Sequence, residues 1–112
     1  MSIKLDDYFD RETFSRIKER AEQLETPFLV VDLKTIDRAY DELVSGFPFG
    51  KVYYAVKANP SNEVLELLKN KGSNFDIASI YELEKVMALG VKPEQISFGN
   101  TIKKARHIRA FY

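Results

Sequence analysis

Hydrophobic positions along this chain alternate between helical and strand spacing. From Asp10 to Leu24, Phe14, Ile17, Ala21 and Leu24 recur every three or four residues, with Lys18, Glu19, Glu22 and Gln23 between them. That spacing predicts an amphipathic helix capped by Asp10, within a leading helical segment over 1–25, ending before Thr26-Pro27 because a residue preceding proline resists the helical region. Phe28-Leu29-Val30-Val31 reads as a short buried strand. A second helix is predicted from about Leu33, with Leu33, Ile36, Tyr40, Leu43 and Val44 on one face and a stop near Gly46 and Pro48.

The same alternation continues. Val52 to Val56 is a β-branched and aromatic run, and Asn59-Pro60 reads as the cap and first position of a third helix carrying Val64, Leu65, Leu67 and Leu68 and ending at Gly72. Phe75 to Ala78 predicts a third strand. Ser79 and Glu82 have the spacing of a capping box ahead of a fourth helix, which presents Ile80, Leu83, Val86 and Met87 and ends at Gly90. Ile96 to Gly99 predicts a fourth strand, and a last helix begins near Lys103. Strands starting near 28, 52, 75 and 96, each followed by a helix, define an α/β chain with a parallel sheet of right-handed crossovers. Four such units with a leading helix are half of an eight-stranded barrel or the start of an open doubly wound sheet. Taken alone, they would leave two strand edges and an inner sheet face open to water.

Composition narrows the function classes. The 112 residues are 45% hydrophobic and 12% aromatic, an ordinary globular balance. Seventeen Lys and Arg offset seventeen Asp and Glu, so no overall field draws the chain to nucleic acid or to an anionic membrane, and a small molecule is the expected partner. There is no cysteine, which excludes disulfides and thiolate chemistry within these residues and agrees with a cytoplasmic location. No signal-like N-terminus and no apolar run of about 18 residues is present.

The candidate chemistry lies at the ends of the predicted strands. Alternation through Lys51 to Lys57 places Tyr53, Ala55 and Lys57 on one face. If that face is a barrel interior, the Lys57 amine stands at the carboxyl end of a strand, desolvation favours its neutral form, and Ala55 leaves room for a flat ligand. On pattern alone a surface lysine reaching into water is the favoured reading, as it is for most lysines. Asp76 lies between Phe75 and Ile77 and shares a face with Ala78; it is either a charge near that lysine or a strand-end carboxylate bonded to loop amides. Glu82 is a capping-box glutamate by spacing. Asn100 and Lys103 are explained by turn chemistry. His107, the only histidine, lies in a basic run of Lys103, Lys104, Arg106 and Arg109 that reads as a solvated helix face.

Tyr54-Ala55-Val56-Lys57-Ala58-Asn59-Pro60, followed by Gly72 to Ser79 and by Ile96 to Lys103, resembles the fold type III, alanine-racemase-like pyridoxal phosphate decarboxylases in register over almost the whole chain. The opening Ile3 to Asp7, with Thr26-Pro27-Phe28 and the stretch Phe75 to Ser79, is similar to bacterial ornithine decarboxylases in particular. The resemblance implies the N-terminal part, roughly the front third, of a (β/α)8 barrel that binds pyridoxal 5'-phosphate. Lys57 would form the imine with the cofactor, with Ala55 and Asp76 beside it and Glu82 able to pair with the lysine. It implies decarboxylation of a basic amino acid, ornithine to putrescine foremost, with diaminopimelate, lysine and arginine decarboxylases as alternatives of the same fold. A non-catalytic pyridoxal phosphate carrier fits less well, since such carriers lack the long N-terminal helix and the stretch seen at Phe75 to Ser79, and a regulatory pseudoenzyme fits less well because the Lys57 motif is intact. The five glycines are dispersed, and by the same resemblance the phosphate loop, the catalytic cysteine and a β-domain completing a homodimeric site belong to sequence outside these residues. No metal is expected.

Overall fold

The computed structural model describes residues 9–112, so the segment Ile3 to Asp7 lies outside the described residues. The elements are α1 (Arg11–Ala21), α2 (Leu33–Gly46), β1 (Tyr53–Ala55), α3 (Asn62–Asn70), β2 (Asn74–Ile77), α4 (Ile80–Ala88), β3 (Ile96–Phe98) and α5 (Ala105–Phe111), with short 3-10 turns at Val56–Ala58 and Pro93–Gln95. The three strands form one parallel sheet in the order β1-β2-β3, as expected of successive crossover units.

The central strand organises the packing. Phe75 and Ile77 of β2 are fully buried, whereas Asn74 and Asp76 between them are only partly covered. In register, Tyr54, Phe75 and Ile96 lie side by side on one face; Ala55, Asp76 and Ser97 lie side by side on the other. The first face meets Val64, Leu65 and Leu68 of α3 and Val86 of α4, and with Val56 and Val91 these residues make the core. Truncating a fully buried phenylalanine such as Phe75 to alanine costs about 3–5 kcal/mol, so this single layer carries most of the cohesion. The opposite face is open, with Tyr53 42% exposed, and the outer edges of β1 and β3 have no strand partner among the described residues.

Two helix ends show why these crossovers stop where they do. After α3, Gly72 has φ +84°, its N–H donates to Lys69 O at 2.9 Å, and the Ser73 N–H donates to Leu68 O at 3.0 Å. After α4, Gly90 has φ +81°, donates to Met87 O at 2.9 Å, and the Val91 N–H donates to Val86 O at 3.2 Å. Both are left-handed caps of the Schellman type, and Val91 then packs against the core with Val86.

Helix α2 starts where Asp32 accepts from the N–H groups of Lys34 and Thr35, and it lays Ile36 and Tyr40 against the core. Lys71, just beyond α3, clamps it: Nζ lies 2.5 Å from Asp37 Oδ1 and 2.8 Å from Asp41 Oδ1, and 5.8 Å from the Tyr40 ring centroid. Hydrogen bonds to Asp37 and then Asp41 raise the Lys71 pKa above its usual 10.5, with burial opposing them.

The structure corrects three expectations. Phe28 to Val31 is not a strand: it is an apolar linker without a ladder partner among the described residues, and Leu29 is 83% exposed. Local pattern can mark a run as strand-like, but a strand exists only where a neighbour accepts its hydrogen bonds. Among the described residues the leading helix spans Arg11–Ala21, ending before Leu24, and buries no side chain. Pro60 does not open α3, because the Asn59 side chain accepts from the Ser61 N–H at 3.1 Å and the resulting turn delays the helix to Asn62 behind Ser61.

Gly90→Ala is expected to cost about 1–2 kcal/mol, since the left-handed residue acquires a β-carbon; Gly46→Ala, at the end of α2 with open space around it, should gain about 0.5 kcal/mol. Thermal or denaturant melting of the two variants checks the opposed signs. The raised Lys71 pKa means that its stabilisation is complete below about pH 10.5 and is lost as pH climbs through the folded value. Hydrogen exchange of α2 amides should therefore accelerate above that range, beyond the intrinsic rate increase, and Lys71→Met should abolish the extra acceleration.

Candidate functional site

The site is assembled at the carboxyl ends of the strands. β1 ends at Ala55, and the chain passes into the 3-10 turn Val56–Ala58 that carries Lys57. Strict alternation therefore ends two residues earlier than the sequence pattern implies, and the turn rather than the strand sets the placement of Lys57. Val56 is fully buried and anchors the turn to the core, whereas Lys57 is exposed. Desolvation of the amine is accordingly not supplied by the described residues. Lys57 makes no hydrogen bond or ion pair among them.

Asp76 is the direct neighbour of Ala55 across the β1–β2 pair and of Ser97 across β2–β3. Its carboxylate makes no hydrogen bond or ion pair among the described residues. It lies over Gly99, where an added β-carbon would stand 2.5 Å from Oδ1 and 2.6 Å from Oδ2, so a side chain at position 99 and this carboxylate orientation compete for one space. The alternative reading of Asp76, a carboxylate tied up by loop amides, is not what the structure has.

Glu82 is committed locally. Its Oε2 accepts from the Ala78 N–H at 2.6 Å, while Ser79 Oγ accepts from the Glu82 N–H at 3.3 Å. This is half of the expected capping box: the glutamate reaches past the cap residue to the amide before it. The effect is to tie the end of β2 to the start of α4. Asn100 extends the tie, donating from Nδ2 to Ala78 O at 3.0 Å and accepting from the Ile102 N–H at 3.2 Å. Lys103 Nζ lies 5.1 Å from the Phe98 ring centroid, and His107 Nε2 accepts from Arg106 Nε at 3.4 Å on the α5 surface. Both act locally on the far side of β3.

Ala55 and Asp76 are therefore together, with Lys57 one turn beyond Ala55. Neither Asp76 nor Glu82 is in ion-pair contact with Lys57. Sequence reasoning missed Gly99, whose signal was only a glycine ending a strand, and Lys85, whose Nζ donates to Pro60 O at 2.5 Å and holds the chain after Lys57. Two concavities, of about 520 and 540 Å3, lie between α1 and the start of α2 and between β3 and α5, and neither is lined by Lys57 or Asp76. Among the described residues no cluster of His, Cys, Asp or Glu is placed to hold a metal ion, and no helix is long and apolar enough to cross a membrane.

A parallel α/β layer with an uncommitted lysine and an uncommitted carboxylate at adjoining strand ends is the start of a barrel or of a doubly wound sheet, folds that both keep ligands at the carboxyl ends of their strands. Residues 33–112 match the pyridoxal binding domain of the pyridoxal-dependent decarboxylases, and the chain belongs to that family. It is 40% identical over 94 residues to the lysine/ornithine decarboxylase of Selenomonas ruminantium, a match covering 84% of this chain and 24% of that protein. Among solved structures, lysine/ornithine decarboxylase from Vibrio vulnificus complexed with putrescine superposes with a TM-score of 0.81 at 29% identity, covering 91% of this chain and 28% of that one. A structure of SrLDC in complex with PLP and cadaverine gives 0.77 at 40% identity, covering 86% and 25%. The matched part of the chain spans about a quarter of the length of the relatives it matches. The fold is the N-terminal α/β portion of such a barrel.

Glu82→Ala is expected to destabilise by about 1–3 kcal/mol, because it strips the Ala78 amide of its acceptor, while Glu82→Gln should recover most of the loss. Chemical denaturation of the two variants, compared at constant m-value, tests this role.

Proposed function

We propose that this chain supplies the N-terminal portion, residues 1–112 with 1–25 as a leading segment, of the pyridoxal phosphate barrel of a cytoplasmic, homodimeric decarboxylase of basic amino acids. Ornithine is the leading substrate, with putrescine as product. The observation that carries the proposal is Lys57: a primary amine free of every protein partner among the described residues, on a turn anchored by buried Val56 at the carboxyl end of a parallel strand. Family membership and the ligands bound in the similar structures support the same reading. Lysine is the second substrate to consider, since the Selenomonas relative is named for both lysine and ornithine.

The residues present fit the cofactor. Lys57 would hold it covalently, Ala55 and Gly99 leave the open sheet face low, and Asp76 offers a carboxylate beside it with no competing partner among the described residues. Bound pyridoxal phosphate supplies an electron sink for the pair left behind as carbon dioxide departs. The protein's part is positional and acid–base. Lys57 can donate or accept a proton at Nζ once substrate has displaced it, and Asp76 favours the protonated form of an amine brought near it. Glu82 has Oε1 without a partner among the described residues, so it can meet a displaced lysine without surrendering its bond from the Ala78 amide.

Borohydride treatment of the full-length protein with pyridoxal phosphate, followed by peptide mapping, should place the cofactor mass on Lys57, and Lys57→Ala should lower the rate of decarboxylation by at least about a hundredfold. Chromatography of the products from equal ornithine and lysine separates putrescine from cadaverine. Attachment at a different lysine would overturn the assignment.

A further inference from the structure

Lys57 has a free side chain on a backbone that is held on both sides. Upstream, Tyr54 lies on the helix-facing side of β1, edge-on to Phe75 with ring centroids 6.4 Å apart and planes at 84°. A tyrosine in such a position needs a partner for its hydroxyl. Here Tyr54 Oη donates to Asn59 O at 3.2 Å, closing a six-residue loop whose outermost part is the Val56–Ala58 turn. Downstream, Asn59 Oδ1 accepts from the Ser61 N–H at 3.1 Å and leads the chain into α3, while Lys85 Nζ engages Pro60 O. Burial raises the Tyr54 pKa above its usual 10.0, so the hydroxyl remains a donor throughout the neutral range.

We propose that Tyr54 is a positioning residue for Lys57, its hydroxyl fixing the turn through the Asn59 carbonyl so that the amine is presented at the strand ends beside Asp76. The inference rests on the reading of Lys57 as the cofactor lysine and goes beyond it, by assigning a role to a side chain on the opposite face of the sheet. A covalent attachment site needs a defined backbone under a mobile, unpaired amine, and a phenol anchored in the core supplies the first without using the second. A backbone error of about 1 Å is enough to degrade a reaction geometry. Phenylalanine could fill the same space against Phe75 but could not close the loop.

The test uses the full-length protein with pyridoxal phosphate, comparing Tyr54→Phe with wild type in the presence and absence of Lys57. Tyr54→Phe should melt within a few degrees of wild type as apoprotein, since one partly exposed hydrogen bond is lost and no volume. It should release pyridoxal phosphate roughly three- to tenfold faster, and the pH midpoint of the bound cofactor's absorbance band should shift. In a Lys57→Ala background, where the cofactor is held without a covalent bond, adding Tyr54→Phe should change its dissociation constant less than twofold, because Tyr54 acts through the lysine. Equal release rates and equal absorbance midpoints for Tyr54→Phe and wild type would refute the proposal while leaving the Lys57 reading intact. An undiminished effect in the Lys57→Ala background would show a general structural role and refute it as well. Borohydride labelling of another lysine would remove both.

Discussion

The alternation of side chains along β2 is the constraint on which the rest of the molecule depends. Phe75 and Ile77 point into the layer of α3 and α4 and are inaccessible to water, which forces Asn74 and Asp76 to the other face. Because the sheet is parallel and in register, the same division extends to β1 and β3: Tyr54 and Ile96 join the core, while Ala55 and Ser97 flank Asp76. A slip of one residue would bury Asp76 among leucines and valines and expose Phe75. Packing of the helix layer therefore sets the composition of the opposite, functional face.

The helix layer also determines how firmly the strand ends are held. The left-handed caps at Gly72 and Gly90 let α3 and α4 turn sharply back to the amino ends of β2 and β3. At the carboxyl ends the ties are side chain to backbone: Glu82 to Ala78, Asn100 to Ala78, Tyr54 to Asn59 and Lys85 to Pro60. None of the four uses Lys57 or Asp76. The result is a tied rim with two charged groups that have no partner among the described residues.

The open face is the counterpart of that rim. Tyr53 and the partly covered Asn74, Asp76 and Ser97 meet no second layer among the described residues, and the outer edges of β1 and β3 have no strand partner among them. In the relatives this chain corresponds to about a quarter of the protein. Covering the face and closing the barrel would exclude water from Lys57 and Asp76, strengthening any interaction between them and a ligand. Uncovered, the same groups are solvated and their mutual influence is weak.

Much of this was legible in the residues. The helix cap at Asp10, the stops at Gly72 and Gly90 and the inward pair Phe75 and Ile77 are local consequences of turn chemistry and periodicity. The motif around Lys57 pointed to the family without a structure. Tertiary structure alone decided that Phe28 to Val31 pairs with no strand among the described residues, since a ladder requires a neighbour that no local pattern specifies. It likewise decided that Lys57 sits on a turn rather than a strand, that Glu82 serves the Ala78 amide, and that Gly99 makes space for the Asp76 carboxylate. Periodicity records which way a side chain faces; its partners are set by segments 20 or so residues away, through distances that only the folded chain contains.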